Sequence, residues 1–553
     1  MLTRETLGGA LAVIIILAAL LAVPLSYLLN YFYRRYLSKG MGYRTKPVPE
    51  MPGTEAPPAP PVQPRFTTLK AGSLTRSENQ AFYKLKELLG LNWLVYVTAW
   101  GAGALVMTYI YSTLSDISLS APRLLFFLLI FAWPVVLCSM VTIASSRLQR
   151  LAFFLAYAGI NMLVTLYLYV SASDKSISYL VQLSPIVMYN GIPTLLVLLL
   201  MVRSIRGSSF TVSGITLVAF FTATLLLQYI SMHLQQVADL MHLLNNASLA
   251  MRLLWAFIIV VSLLAGFVVV RSIRFFYNRK RLTEQTLMIE AILILHLGFY
   301  AAMLEPLDPF AVFYVAAPFV LYKMVSLVLF RVLRRFYKAP AMKRLLLLRV
   351  FALEGKSRNL LEHLTKHWRF HGPVQMISGP DLATSTIDPH EVITFLSGGM
   401  HRTFCDDEKT IKEKTEGADN RRDFDATYRI QEYFCRDNTW KHVLAALVHR
   451  SEVVLMDLRS FNPKYKGCQH EINQLVNRIP LNRVVFLVDK STVMPFTEGC
   501  FTEAFARMEA TSPNAGAPHD VLFVDYTNER YTGTLALLNL LCRLADGETS
   551  PTL

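Results

Sequence analysis

Three apolar runs near the end of the chain close on an aspartate: Val453–Asp457, Val484–Asp489 and Val521–Asp525. In open α/β sheets ligands bind at the carboxyl ends of strands, and gathered carboxylates are the oxygen set that a magnesium ion takes. The plainer reading is preferred: each aspartate caps a turn or the helix that follows. His401, Cys405, Cys435 and His442 have side chains suited to a metal, yet no Cys-x-x-Cys pair accompanies them. Reduced thiols in or near a core are the better account, and no metal site is assigned. A third group is out of place for a soluble protein. Glu290, His296 and Lys323 lie inside long apolar runs, where ionisable groups are costly and call for a functional hypothesis.

Glu290 falls in the apolar run 286–304 and Lys323 in the run 310–330, joined by the short loop Glu305–Pro309. Both lie at nearly the same separation from Leu307, so two antiparallel helices rising about 1.5 Å per residue bring them to one depth. Either they pair, or Lys323 snorkels alone toward the headgroups. Asn161, Asn190 and Gln228 read as interhelical hydrogen-bonding groups.

The elements that position these residues fall into two classes. Of 553 residues, 53% are hydrophobic and only 17% charged, against about 25% charged in an ordinary soluble domain. The apolar excess is confined to the part before residue 330. Runs near 7–31, 91–114, 124–144, 151–170, 185–202, 212–230, 253–270, 286–304 and 310–330 predict about nine transmembrane helices. With the N-terminus outside, the inner segments hold Arg34, Arg35, Arg147, Arg150, Arg203, Arg206, Arg271, Arg274, Arg279, Lys280, Arg281, Arg331, Arg334 and Arg335, among others. The outer ones hold only Arg4, Arg123, Lys175 and Arg252. That asymmetry predicts a multi-pass protein of a bacterial cytoplasmic (inner) membrane with its C-terminal domain inside. It also accounts for the net charge of +15 without a nucleic-acid partner. The predicted divisions are a first anchor at 1–34, a Pro-rich cytoplasmic linker at 35–90, an eight-helix membrane domain at 91–338 and a cytoplasmic domain at 339–553.

In that last domain strands are predicted at Leu345–Leu353, Val374–Ile377, Val453–Asp457, Val484–Asp489 and Val521–Asp525. Helices are predicted at 356–369, 390–399, 439–450, 467–478, 497–509 and 530–545. Continuous apolar strands alternating with helices imply a parallel sheet covered on both faces, of flavodoxin-like α/β form. The charged stretch 400–437 breaks the alternation and is expected to be an insertion on the surface.

Asn438–Val476 carries a helix ending at Ser451, the strand Val453–Met456, a loop, and Gly467-Cys468-Gln469-His470-Glu471 opening the next helix. This stretch resembles the central part of a Toll/interleukin-1 receptor (TIR) domain. Leu348–Leu353, the helix 356–369 and Gly372–Met376 resemble that family's first strand, first helix and second strand. The acidic start of the first strand is missing here, and Gly467 replaces an aromatic residue. The resemblance implies that Ser378–Pro389 is the loop that serves assembly and frames a nucleotide pocket, with Ser378, Asp457, Arg459 and Asp489 as nucleotide-binding residues. It further implies that NAD is the substrate, cleaved at its nicotinamide–ribose bond with Glu471 as catalytic carboxylate, and that the domain self-associates. A carboxylate near the anomeric carbon would stabilise the oxocarbenium charge. The competing reading of Glu471 is a first-turn acid favoured by the helix dipole. Three functions follow: a membrane-tethered NAD-consuming signalling enzyme, a non-catalytic receptor or adaptor, and a transporter or channel with a regulatory domain.

Overall fold

The computed structural model describes residues 4–42, 63–71, 80–143, 147–171, 178–202, 204–233, 235, 247–308, 310–337, 341–349, 356–378, 389–516, 520–527 and 531–548. The chain divides into a helical unit, Met1–Tyr33, Asn92–Arg331 and Ile387–Gly399, and a sheet unit, Arg34–Leu91, Val332–Thr386 and Met400–Leu553.

Seven described helices are long and apolar enough to cross a bilayer: Leu11–Met41, Gln80–Leu114, Leu148–Ser171, Arg206–Leu227, Ser248–Asn278, Glu284–Leu304 and Ala316–Phe336. The pair Ala121–Phe131 and Pro134–Thr142, bent by 47°, makes an eighth when counted as one span. Leu17, Leu163, Leu263, Phe267 and Met324 on these helices are exposed, an apolar surface that lipid accommodates and water does not. The expected span at 185–202 has a different build. It comprises two short α-helices, Tyr179–Ile186 and Ile192–Leu200, joined by a π-helical turn at Val187–Gly191. Pro193 has no N–H to offer the carbonyl four residues before it, which loosens the helix there.

Breaks in two helices meet. Pro134 cannot donate to the Ile130 carbonyl, and Asn190, from the π-turn, does so instead through Nδ2 at 3.1 Å. The Tyr300 hydroxyl donates to Asn190 Oδ1 at 2.7 Å, and Trp133 Nε1 donates to Thr194 Oγ1 at 2.8 Å. Away from water an orphaned carbonyl is expensive, so this network secures the bend. The side chain of Gln228 lies outside the described residues.

Among the described residues the sheet has eight strands, parallel throughout, in the order β1-β8-β7-β6-β2-β3-β5-β4. Its strands are β1 Arg65–Lys70, β2 Leu345–Arg349, β3 Val374–Ser378, β4 Phe404–Cys405, β5 Ile430–Cys435, β6 Val453–Asp457, β7 Val484–Val488 and β8 Asp520–Asp525. β2, β3, β6 and β7 are buried at every position, as strands covered on both faces must be. Alternate residues serve opposite layers. Val454, Met456, Val484, Phe486 and Phe523 meet Leu447, Ile472, Leu475, Phe501 and Phe505 in one continuous core. The helices Trp440–Arg450, Lys466–Arg478 and Met494–Ala506 pack in succession, whereas Lys356–Trp368 packs with Tyr531–Ala545.

Three expectations are corrected. The stretch 400–437 is not merely an inserted surface excursion: it supplies β4 and β5, and β5 pairs with β3 along its length. Ile430-Gln431-Glu432-Tyr433 carries two consecutive polar residues and lies near the end of the sheet, so it lacks the continuous apolar run of an inner strand. The linker 35–90 contains β1, an edge strand parallel to β8 in which Phe66 stacks on Phe523. The predicted helix 390–399 forms as Pro389–Leu396 but belongs to the helical unit, packed on Arg206–Met232 and Ala247–Asn278. There His390 stacks on Tyr277 with ring centroids 5.4 Å apart and lies 2.9 Å from Glu284 Oε1.

Candidate functional site

The strands place their chemistry at the carboxyl ends of β2, β6, β7 and β8. Arg349 and Asp457, the last residues of β2 and β6, are register partners. Asp457 is held by Arg459, whose Nε and Nη2 each donate to one carboxylate oxygen at 2.8 Å. Both side chains are almost wholly buried, and the guanidinium lies over the Tyr526 ring. This two-pronged pair satisfies both ions away from water. Asp489 closes a turn by accepting from the Ser491 amide at 3.0 Å and the Ser460 amide at 3.4 Å. Asp525 accepts from the Thr527 amide at 3.0 Å. All three strand-end aspartates therefore have local partners of the Asx-turn kind.

Glu471 lies in the helix Lys466–Arg478 that follows β6. It is 2% exposed, and its Oε2 has no hydrogen-bond partner among the described residues. Burial pushes its carboxyl up to about 8, although the nearby Cys468 thiol partly offsets this by hydrogen bonding. The Cys468 thiol is itself pushed up by burial first, then by the neighbouring Glu471 and Asp457. The structure thus brings Glu471, Cys468, Asp457 and Arg459 together at the end of β6 and seals them from solvent. Cys468, Glu471, Ile472 and Leu475 recur at the spacing of one helix face, and all are buried. That spacing is the sequence signal that Glu471 points inward.

Ser378 ends β3 and donates to Glu432 Oε2 of β5 at 2.5 Å. Sequence reasoning missed Glu432 because β5 itself was not anticipated. Residues 379–388 of the expected pocket loop lie outside the described residues. No group of three or more His, Cys, Asp or Glu able to hold a metal converges among the described residues. Cys405 and Cys435 are register partners on β4 and β5, buried and in thiol–thiol contact.

In the helical unit Lys323 Nζ donates to Glu290 Oε1. His296 is fully buried, with Nδ1 2.9 Å from the Ile292 carbonyl oxygen.

No family model, curated protein or solved structure matches this chain. Its functional reading therefore rests on its own residues and geometry.

Proposed function

We propose that this chain is a multi-pass protein of a bacterial cytoplasmic membrane whose sheet domain is TIR-like, signals through assembly, and hydrolyses NAD at Glu471 once assembled. Strands β3-β2-β6-β7-β8 follow the order 2-1-3-4-5 of flavodoxin-like doubly wound sheets. In that order the switch point lies between β2 and β6, where Arg349 faces Asp457. The observation that carries the reading is Glu471: a buried carboxyl with an oxygen unpartnered among the described residues, one helical turn from Cys468, which senses Asp457 at the end of β6. Such a group is poorly explained by stability, because burying a carboxyl with one oxygen left unsatisfied costs free energy.

In the hydrolysis, the bond between the ribose anomeric carbon and the nicotinamide nitrogen breaks. Nicotinamide leaves with the bonding pair, and water adds to the ribose with loss of a proton. Ionised Glu471 would stabilise the positive charge that builds on the ribose. In the conformation described here Glu471 is sealed and held protonated, so assembly must open the end of β6 and rehydrate the carboxyl. The same burial favours a second reading, a receptor or adaptor whose sheet domain only binds partners.

The test uses the full chain in lipid nanodiscs and in densely packed proteoliposomes, with NAD loss as readout. Turnover is expected only in the dense preparation, falling about 100-fold or more in Glu471→Gln. Equal turnover by Glu471→Gln would remove Glu471 from the chemistry. No turnover by well-folded, clustered wild type would leave the adaptor.

A further inference from the structure

Within the helical unit, the helices Arg206–Met232, Ala247–Asn278 and Pro389–Leu396 enclose an apolar cavity of about 200 Å³. Ile215, Ala219, Gly266, Phe267, Val270 and Leu396 line it. Gly266 gives it depth, since a Cβ there would stand 3.1 Å from Ile215 Cγ2. Leu263 and Phe267, on its wall, are 65% and 56% exposed, so the cavity opens onto the outer apolar surface of bilayer-length helices.

The wall changes character along one helix face. Leu263, Phe267 and Arg271 recur every four residues, as do Gly266, Val270 and Arg274. Residues at that spacing stack on one side of a helix. The apolar stripe therefore runs directly into two exposed guanidinium groups, with Arg274 about 12 Å along the axis from Gly266. Arg274 Nη1 donates to Ser397 Oγ at 2.8 Å, just beyond the end of Pro389–Leu396. An apolar slot open to lipid, ending one turn later in two cations, matches an acyl chain with an anionic headgroup.

We propose that this groove binds one anionic phospholipid of the surrounding bilayer, its acyl chain between Ile215, Gly266 and Leu396 and its phosphate on Arg271 and Arg274. The site depends on the membrane reading and not on Glu471. Leu396 and Ser397 belong to the helical unit with the two long helices, so the proposed site lies wholly within that unit.

Purified full-length protein in detergent is titrated with phosphatidylglycerol or phosphatidylcholine, with bound lipid counted by native mass spectrometry and stability followed by thermal unfolding. One phosphatidylglycerol per chain is expected, preferred roughly fivefold for each arginine engaged. Arg271→Gln with Arg274→Gln should reduce phosphatidylglycerol binding to the level of phosphatidylcholine. Ala219→Trp should fill the slot and remove the tightly bound lipid. Equal binding of the two lipids by wild type overturns the proposal, as does undiminished preference in the double glutamine variant. The arginines are exposed, so that variant decides the matter even if Ala219→Trp does not fold.

Discussion

At the scale of single residues, the sealed carboxyl of Glu471 sets a stability signature as well as a chemical one. Its folded value of about 8 lies above the ordinary 4.5, so between these limits the folded state holds a proton that the unfolded state has released. The stability this contributes is complete below pH 4.5 and is lost as pH rises toward 8, at up to about 1.4 kcal/mol per pH unit. Buried His367 and His371 act in the opposite sense and in another window. Burial lowers both to about 4, so their contribution is present above pH 6.5 and lost as pH falls toward 4. Between pH 6.5 and 8 the Glu471 effect therefore stands apart from that of the two histidines. Glu471→Gln keeps the shape of the neutral acid but cannot ionise. The expected outcome is that wild type loses melting temperature across pH 6.5–8 while the variant changes far less, as read by intrinsic fluorescence of the full chain. Parallel curves would mean that Glu471 is ionised at neutral pH and already available for chemistry.

At the scale of elements, local geometry decides what the sequence discloses. The strands β2, β3, β6, β7 and β8 were legible because inner parallel strands are continuous apolar runs. β1 and β5 were not, since Arg65-Phe66-Thr67-Thr68-Leu69-Lys70 and Ile430-Gln431-Glu432-Tyr433 carry polar residues that look like loop when the neighbouring strand is unknown. The helix Pro389–Leu396 was legible as a helix, but its partners were not, because an apolar face does not say which other apolar face it meets. The turn-forming roles open to Asp457, Asp489 and Asp525 could be read from strand ends. The Arg459 clamp could not, as it depends on a side chain folding back within a buried loop. The turn into β3 is set by backbone proximity. A Cβ on Gly372 would lie 1.8 Å from the Lys343 carbonyl oxygen, a contact that only backbone displacement relieves. Gly372→Ala should cost about 3 kcal/mol, lowering the melting temperature of the sheet domain by roughly 6–12 °C. Gly499→Ala is the control: it lies inside the helix Met494–Ala506 with nothing within 4 Å of a built Cβ. Alanine there should leave stability unchanged or slightly raised.

At the scale of the whole molecule, the question is parity. Among the described residues, seven long helices and one bent pair make eight candidate crossings, which would return both termini to the same side. The segment Tyr179–Leu200 decides between eight and nine. Its three pieces of eight, five and nine residues follow one another without a gap, reaching about 33 Å at helical rise, enough for a hydrocarbon core of about 30 Å. If it did not cross, Arg271, Arg274, Arg279, Lys280 and Arg281 would face the side opposite Arg34 and Arg35. That would reverse the charge bias that orients membrane helices. We therefore expect the broken helix to cross, with its π-turn and Asn190 in the interior, where Asn190 shares the Ile130 carbonyl with the Tyr300 hydroxyl. Ser178, which caps its start, and Ser204, just past its end, mark the two sides. In a cysteine-free background, Ser178→Cys should react with a membrane-impermeant maleimide on intact cells, and Ser204→Cys only after permeabilisation. Labelling of both positions from one side would show that the segment turns back. It would place the N-terminus and the sheet domain on the same face of the membrane, with the arginines of the Ala247–Asn278 helix on the face opposite Arg34 and Arg35.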